Sequence, residues 1–123
     1  MRRWKIMQIL AVDRSESIKN ELGVKNSYIN ALGKDEAYNG WDTSNYHEIP
    51  ADCKKLLTGQ YPIKYGAFYD KDKVLIKSIR QDGFTPLAEF PILSVMEIPA
   101  NARYFRDSDT AAEMVKKWFI LTT

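Results

Sequence analysis

Gly23 sets the tightest local constraint on this chain. It stands inside the run SESIKNELGVKNSYINALGK, residues 15–34, between two short apolar series. Ile18 and Leu22 precede it at a spacing of four, which puts both on one helix face. Val24, Ile29 and Leu32 follow it. Ser15 or Ser17 can cap a first turn, with Glu21 within reach of the cap. Glycine suits the left-handed residue that ends a helix. Asn26 or Ser27 can cap a second helix, which Gly33 closes. The spacing predicts two short helices about a sharp turn, with a polar, basic helix start near Lys25 facing outward.

The rest of the chain divides around that run. Residues 3–12 (RWKIMQILAV) are apolar on every face, so periodicity leaves them open between strand and helix. The helix tolerance of Lys, Met, Gln, Leu and Ala favours helix. Residues 35–48 are polar and turn-rich, with Asn39-Gly40 a turn signal, and read as a linker. Pro50 can begin a short helix that turns Cys53, Leu56 and Leu57 inward. The period then changes to two. Residues 62–69 and 74–80 alternate as strands about a DKDK loop, and 90–98 give a third strand. Residues 99–108 read as a loop. Thr110 and Glu113 form a capping box for a last helix, with Met114, Val115, Trp118 and Phe119 as its apolar stripe opposite Lys116 and Lys117. The expected fold is α+β: a helical N-terminal part, then a three-stranded antiparallel meander covered by a C-terminal helix. The 123 residues fit a single compact domain, 1–123, with sub-parts 1–34, 35–48 and 49–123.

Composition narrows the function. Charged residues are 28% and hydrophobic ones 45%, a globular balance. No apolar run approaches the ~20 residues of a membrane helix. The basic, apolar N-terminus is interrupted by Lys5 and Gln8 and lacks a small-residue cleavage site, which argues against a signal peptide. One cysteine, Cys53, permits no internal disulfide and points to a reducing, cytoplasmic setting. Net charge is +2, unevenly laid out. Residues 1–34 are basic, whereas Asp35, Glu36, Asp42 and Glu48 lie in a stretch without Lys or Arg.

Catalytic groups are few. His47 is the one histidine, in a polar loop. Cys53 falls on an apolar face. The Asp70-Lys71-Asp72 pair is better explained by a turn than by a metal. Zinc, redox and phosphate-loop motifs are absent from the sequence, so no enzyme activity, catalytic residue, metal or cofactor is expected. Tyr61, Tyr65, Phe68 and Tyr69 also suit a stacking surface for single-stranded nucleic acid, though ordinary strand packing explains them better.

Residues 15–34 resemble the helix-turn-helix of DNA-binding regulators. Gly23 stands at that motif's ninth place. Ile18, Leu22, Val24, Ile29 and Leu32 stand at its apolar fourth, eighth, tenth, fifteenth and eighteenth places. The match departs at the fifth place, where Lys19 replaces a small residue. The resemblance implies a small DNA-binding regulator. Lys25, Asn26, Ser27 and Asn30 would read duplex DNA, and Arg2, Arg3, Arg14 and Lys34 would hold its backbone. The sheet portion would dimerise or sense a partner. The alternative expectation is a protein-binding inhibitor, like toxin-immunity proteins or phage anti-defence proteins of the anti-CRISPR type. Its interface would use Trp41, Tyr61, Tyr65 and Tyr69 or the acidic stretch.

Overall fold

The computed structural model describes residues 15–58, 61–80 and 94–123. Within them the chain forms two antiparallel sheets and one helical turn. The strands in chain order are β1 (Ser15–Lys19), β2 (Leu22–Ile29), β3 (Asp35–Ser44), β4 (His47–Glu48), β5 (Lys55–Thr58), β6 (Tyr65–Tyr69), β7 (Leu75–Arg80), β8 (Ser94–Glu97), β9 (Tyr104–Thr110) and β10 (Trp118–Thr122). The turn α1 is Ala111–Met114. One sheet has the order β1-β10-β5-β8. The other has the order β2-β3-β9-β6-β7, and β4 also pairs with β9.

β9 is the strand on which the larger sheet is assembled. One edge takes Trp41–Thr43 of β3 and then β4, while the other takes all of β6. Residues 105–109 are all buried. Side chains alternate along a strand, so Phe105, Asp107 and Asp109 share one face and Tyr104, Arg106 and Ser108 the other. The first face meets the smaller sheet. There Phe105, Phe68 and Ile79 pack with Leu56, Phe119 and Leu121 into one apolar core that also holds Cys53 and Ile63.

The second face is covered by the chain's own β2–β3 hairpin, folded back across it. Ile29 N–H donates to Ser108 Oγ at 2.9 Å, and Arg80 Nη1 donates to Ile29 O at 2.6 Å. Tyr69 Oη donates to Gly33 O at 2.6 Å, and Thr43 Oγ1 lies 2.9 Å from Ser108 Oγ. A smaller apolar cluster of Ile29, Ala67 and Tyr69 fills the space beneath. The hairpin bends because its register slips. Lys25 faces Asp42, yet Ser27 faces Ala37, so Asn26 alone stands opposite residues 38–41. Asn26 takes φ 54°, its N–H donates to Asp42 Oδ1 at 3.3 Å, and its Oδ1 accepts from Gly40 N–H at 3.2 Å. Gly40, at φ 89°, adopts a conformation that glycine takes without strain.

The expected α+β architecture is therefore replaced by an almost wholly β one. The stretch read as a helix-turn-helix is β1, β2 and the turn that leads into β3. Its apolar residues serve strands: Ile18 packs beside the main core and Ile29 beneath the hairpin, whereas Leu22, Val24 and Leu32 are exposed. The stretch 35–48, read as a linker, holds the longest of the described strands, and Asn39-Gly40 marks a bulge within it rather than a chain reversal. The short helix after Pro50 is a turn, Cys53 N–H to Pro50 O at 3.0 Å, leading into β5. The β6–β7 hairpin is as expected. The third strand is not its neighbour, because β8 pairs with β5 in the other sheet. The C-terminal helix is a single turn. Its cap is the expected one, with Glu113 N–H donating to Thr110 Oγ1 at 3.3 Å, but Trp118 onward is strand β10. Residues 3–12 lie outside the described residues.

The tightest contact in this arrangement is at Gly66. A Cβ there would lie 2.3 Å from Arg106 O and 2.7 Å from Ile63 Cγ2. The first of these is backbone of β9 and cannot swing aside. Gly66→Ala is expected to lower stability by about 3 kcal/mol, read as a shift of the urea midpoint at unchanged slope.

Candidate functional site

Three features stand out from the packed core. The first is a buried charge cluster on the inner face of β9. Lys117, in the link from α1 to β10, places its ammonium 2.8 Å from Asp107 Oδ1 and 2.9 Å from Asp109 Oδ2. It also donates to Pro62 O at 3.2 Å. All three side chains of the ion cluster are fully buried. The Asp109 contact is an ion pair out of line for a hydrogen bond, and Asp109 Oδ2 has no hydrogen-bond donor. Burial pushes the Asp107 carboxyl above the usual range, and Lys117 opposes that push. Asn20 Nδ2 donates to Asp107 Oδ2 at 3.0 Å, and Asn20 Oδ1 lies 3.0 Å from His47 Nε2. An amide oxygen only accepts, so His47 carries its proton on Nε2. Burial, chiefly, lowers the His47 pKa to about 4, with Glu21 opposing and Arg106 adding to the depression. The ring is packed against Phe105 and Phe119 at 4.8 and 5.7 Å. This chain of groups links the two sheets. Among the described residues it lines neither of the recesses described next.

The second feature is a ring of aromatics between the hairpin and the larger sheet. Tyr28 lies 5.6 Å from Tyr38, Tyr38 5.9 Å from Trp41, Trp41 5.4 Å from Tyr65, and Tyr65 6.1 Å from Tyr28. The four centroids close a circuit, and among the described residues these four line a recess of about 240 Å³. Each comes from a different local cause. Tyr38 and Trp41 flank the bulge at Asn39-Gly40, which re-aims them off the strand alternation. Tyr28 is held by its hydroxyl, which donates to Glu36 Oε2 at 2.9 Å; that bond raises the phenol pKa. Tyr65 pairs across β6–β7 with Arg80, whose guanidinium carbon lies 5.3 Å from the Tyr65 ring centroid.

The third is a larger cleft at the hairpin tip, about 490 Å³, whose lining includes Lys34, Asp35, Tyr46, Tyr69, Lys73 and Arg106. Tyr69 at its base has its pKa pushed up to about 12, mainly by burial. It is a neutral donor at ordinary pH.

The residues expected to read DNA are dispersed or committed elsewhere. Asn26 and its neighbour Lys25 lie at the hairpin bulge, and Ser27 is buried with its hydroxyl 2.8 Å from Thr43 Oγ1. Asn30 closes the hairpin turn, where its Oδ1 accepts from the N–H groups of Leu32 and Lys34. No helix presents these residues to a major groove. Lys34 is exposed at the tip cleft, while Arg2, Arg3 and Arg14 lie outside the described residues. Of the expected protein interface, Trp41 and Tyr65 come together in the ring. Tyr69 is buried elsewhere, and Tyr61 lies under the ammonium of Lys116 at 5.7 Å. The nucleic-acid stacking surface does not form either, because Phe68 and Tyr69 are core residues. Neither Tyr28, expected only as an inward residue of the second helix, nor Tyr38 is among the expected binding residues. The one signal for them was the density of aromatics in YNGW and its neighbourhood.

Comparison with protein-family models, with curated proteins and with solved structures finds no match for this chain. Among the described residues, no cluster of His, Cys, Asp and Glu could hold a metal ion, and no helix is long and apolar enough to cross a membrane.

Two outcomes test the buried cluster. Lys117→Met leaves the buried Asp107 carboxylate without its cation and, among the described residues, Asp109 with Lys64 alone, 3.8 Å from its Oδ1, and is expected to cost about 3–5 kcal/mol at neutral pH. That loss should shrink in acid, where the folded state takes up the protons that quench the stranded charges. His47 gives the opposite slope. Its folded pKa of about 4 lies below the ordinary imidazole value of 6.5, so its contribution is whole above pH 6.5 and drains away as pH falls toward 4. The fall amounts to about 3 kcal/mol. Urea titrations from pH 7 to 4 should show that component in the native chain and not in His47→Gln.

Proposed function

We propose that this is a non-catalytic binding protein that captures a protein partner by admitting a cationic side chain into the ring of Tyr28, Tyr38, Trp41 and Tyr65. The observation that carries the reading is the closed circuit of centroids, with edges of 5.4–6.1 Å, around an open recess. A square of that edge has its centre about 4 Å from each corner, inside the ~6 Å reach of a cation–π contact. Aromatic faces carry negative charge, so convergent rings select an ammonium or guanidinium over a neutral group.

Charge around the ring supports the same occupant. Strand β3, which supplies two of the rings, carries Asp35, Glu36 and Asp42 and no Lys or Arg. Glu36 is bonded to the Tyr28 hydroxyl itself. Arg80 stacks near Tyr65 and its charge also reaches Tyr28, but it is not one of the residues that line the recess. Tyr and Trp are also the residues that dominate binding energy in protein interfaces. The rings meet mostly edge to face and so offer no flat stack for successive bases, and the acidic border would repel a phosphate backbone. A cytoplasmic setting, suited to the buried Cys53 thiol, is part of this proposal.

Titration of the purified protein with tetramethylammonium and with acetyl-lysine amide tests it. Nuclear magnetic resonance should show saturable shifts of the Trp41 indole N–H and the Gly40 amide. Trp41→Leu is expected to weaken retention of a cation-bearing partner about tenfold or more, and tetramethylammonium should compete with that partner. Shifts that fail to saturate, or a Gly40 response that survives in Trp41→Leu, would remove the basis of the reading.

A further inference from the structure

The cleft at the hairpin tip is a second site, separate from the aromatic ring, and its charge has the opposite sign. Its lining carries three cations, Lys34, Lys73 and Arg106, against one carboxylate, Asp35. Arg106 is 3% exposed and rigidly placed. Its Nε donates to Ser44 O at 3.0 Å, its Nη1 lies 3.1 Å from Asp35 Oδ1, and its guanidinium carbon lies 4.5 Å from the Tyr46 ring centroid. Lys73 brings its ammonium to 4.8 Å from the same ring and 5.4 Å from that of Tyr104.

The position of Lys73 is itself constrained. It takes φ 62°, a conformation disfavoured for any residue with a Cβ. The β6–β7 turn enforces it: Lys73 N–H donates to Asp70 O at 2.9 Å, and Asp70 Oδ1 accepts from Asp72 and Val74 N–H at 2.8 and 3.0 Å. A turn that needs only a left-handed residue would be served by Gly or Asn. Here a lysine stands in that place and lays its ammonium over Tyr46, the ring against which Arg106 also packs. The apolar wall is exposed as well. Leu32 and Val74, both among the cleft's lining residues, are 69% and 58% exposed.

We infer that this cleft binds a small organic anion: a carboxylate or phosphate monoester carrying an apolar body. The volume of about 490 Å³ lies in the range of small-molecule sites. The anionic head takes the place of the Asp35 carboxylate at Arg106, and Lys34 and Lys73 add positive charge from the same lining. The apolar body lies against Leu32 and Val74, whose exposure it relieves. Asp35, with 40% of its side chain accessible, is the internal competitor for the guanidinium and is free to swing into solvent when displaced.

Calorimetric titration of the full chain with phenyl phosphate and with benzoate tests this, with inorganic phosphate and benzyl alcohol as the half-ligands. Saturable binding of both aryl anions is expected, weakening as salt rises. Each half-ligand should bind at least about tenfold more weakly, since each forfeits one of the two contacts. Lys73→Asn keeps the left-handed turn, removes the ammonium, and should weaken binding about fivefold. Asp35→Asn removes the competitor and should tighten it by a similar factor. Tightening is a change that general damage to the fold would not produce. The inference is overturned if neither aryl anion binds saturably. It is equally overturned if inorganic phosphate binds as well as phenyl phosphate, or if affinity ignores both substitutions. Trp41→Leu should leave this binding unchanged, so the two sites stand or fall independently.

Discussion

Everything in this fold is arranged around the burial of β9 on both faces. A strand of sequence YFRDSDT has no business in a core by composition, since Arg106, Asp107, Ser108 and Asp109 occupy successive positions and all are buried. Burying such groups is tolerable only when each has partners. The two faces find them in different layers. Toward the smaller sheet, Lys117 and Asn20 meet the aspartates, which ties the β1–β2 junction and the start of β10 to the middle of the larger sheet. Toward the hairpin, Ser108 and Arg106 bind Ile29, Thr43, Ser44 and Asp35. Polar pairing thus dictates which elements must cover β9. The apolar clusters on either side supply the bulk of the burial energy but would accept other neighbours.

That requirement explains why the hairpin folds over and why recesses remain beneath it. A twisted two-stranded ribbon cannot match the surface of a sheet along its whole length. It is pinned near its base by Thr43 and near its turn by Ile29, both at Ser108, and at the tip by Gly33 at Tyr69. Between and beyond those pins space is left. Near the bulge the space is walled by rings; at the tip it is floored by Arg106 and Tyr69. Both openings are consequences of one fold-over, and the side chains lining them differ because the two ends of the hairpin carry different residues.

What the sequence disclosed follows from which residues sit where. The β6–β7 hairpin was legible, since Tyr65, Ala67 and Tyr69 alternate with a polar DKDK turn between strands. The capping role of Thr110 was legible too, because it is local chemistry. Strand β9 was not, as its polar run imitates a loop, and only tertiary pairing with Lys117 makes it a core strand. Lys117 misled in the same way: beside Lys116 and opposite Met114 it suits the wet side of a helix, yet it is the fully buried cation. The stretch 15–34 shows a different failure. Six fitting positions of a helix-turn-helix pattern are compatible with strands, because a glycine can also sit where backbones approach closely. A Cβ on Gly23 would lie 2.7 Å from Ser44 O. Of the binding residues, Trp41 and Tyr65 could be named from the sequence. Their joining by Tyr28 and Tyr38 could not, since it depends on a register slip that no residue type announces.

The acidic stretch 35–48 illustrates how charge acquires meaning only through placement. As a string it suggests a solvated linker or a weak imitation of a nucleic-acid backbone. In the fold, three of its four acids have separate structural duties. Asp35 neutralises Arg106, Glu36 fixes the Tyr28 hydroxyl, and Asp42 holds the reversed backbone of Asn26. A carboxylate engaged in a hydrogen bond still contributes its charge to the surrounding field. Glu36 and Asp42 therefore bias the aromatic ring toward cations while serving as scaffolding. Asp35, next to Glu36 on the same strand, lowers the positive charge of the tip cleft until an anion replaces it. The sign of each site is set less by the residues that would touch a ligand than by where one strand deposits its carboxylates.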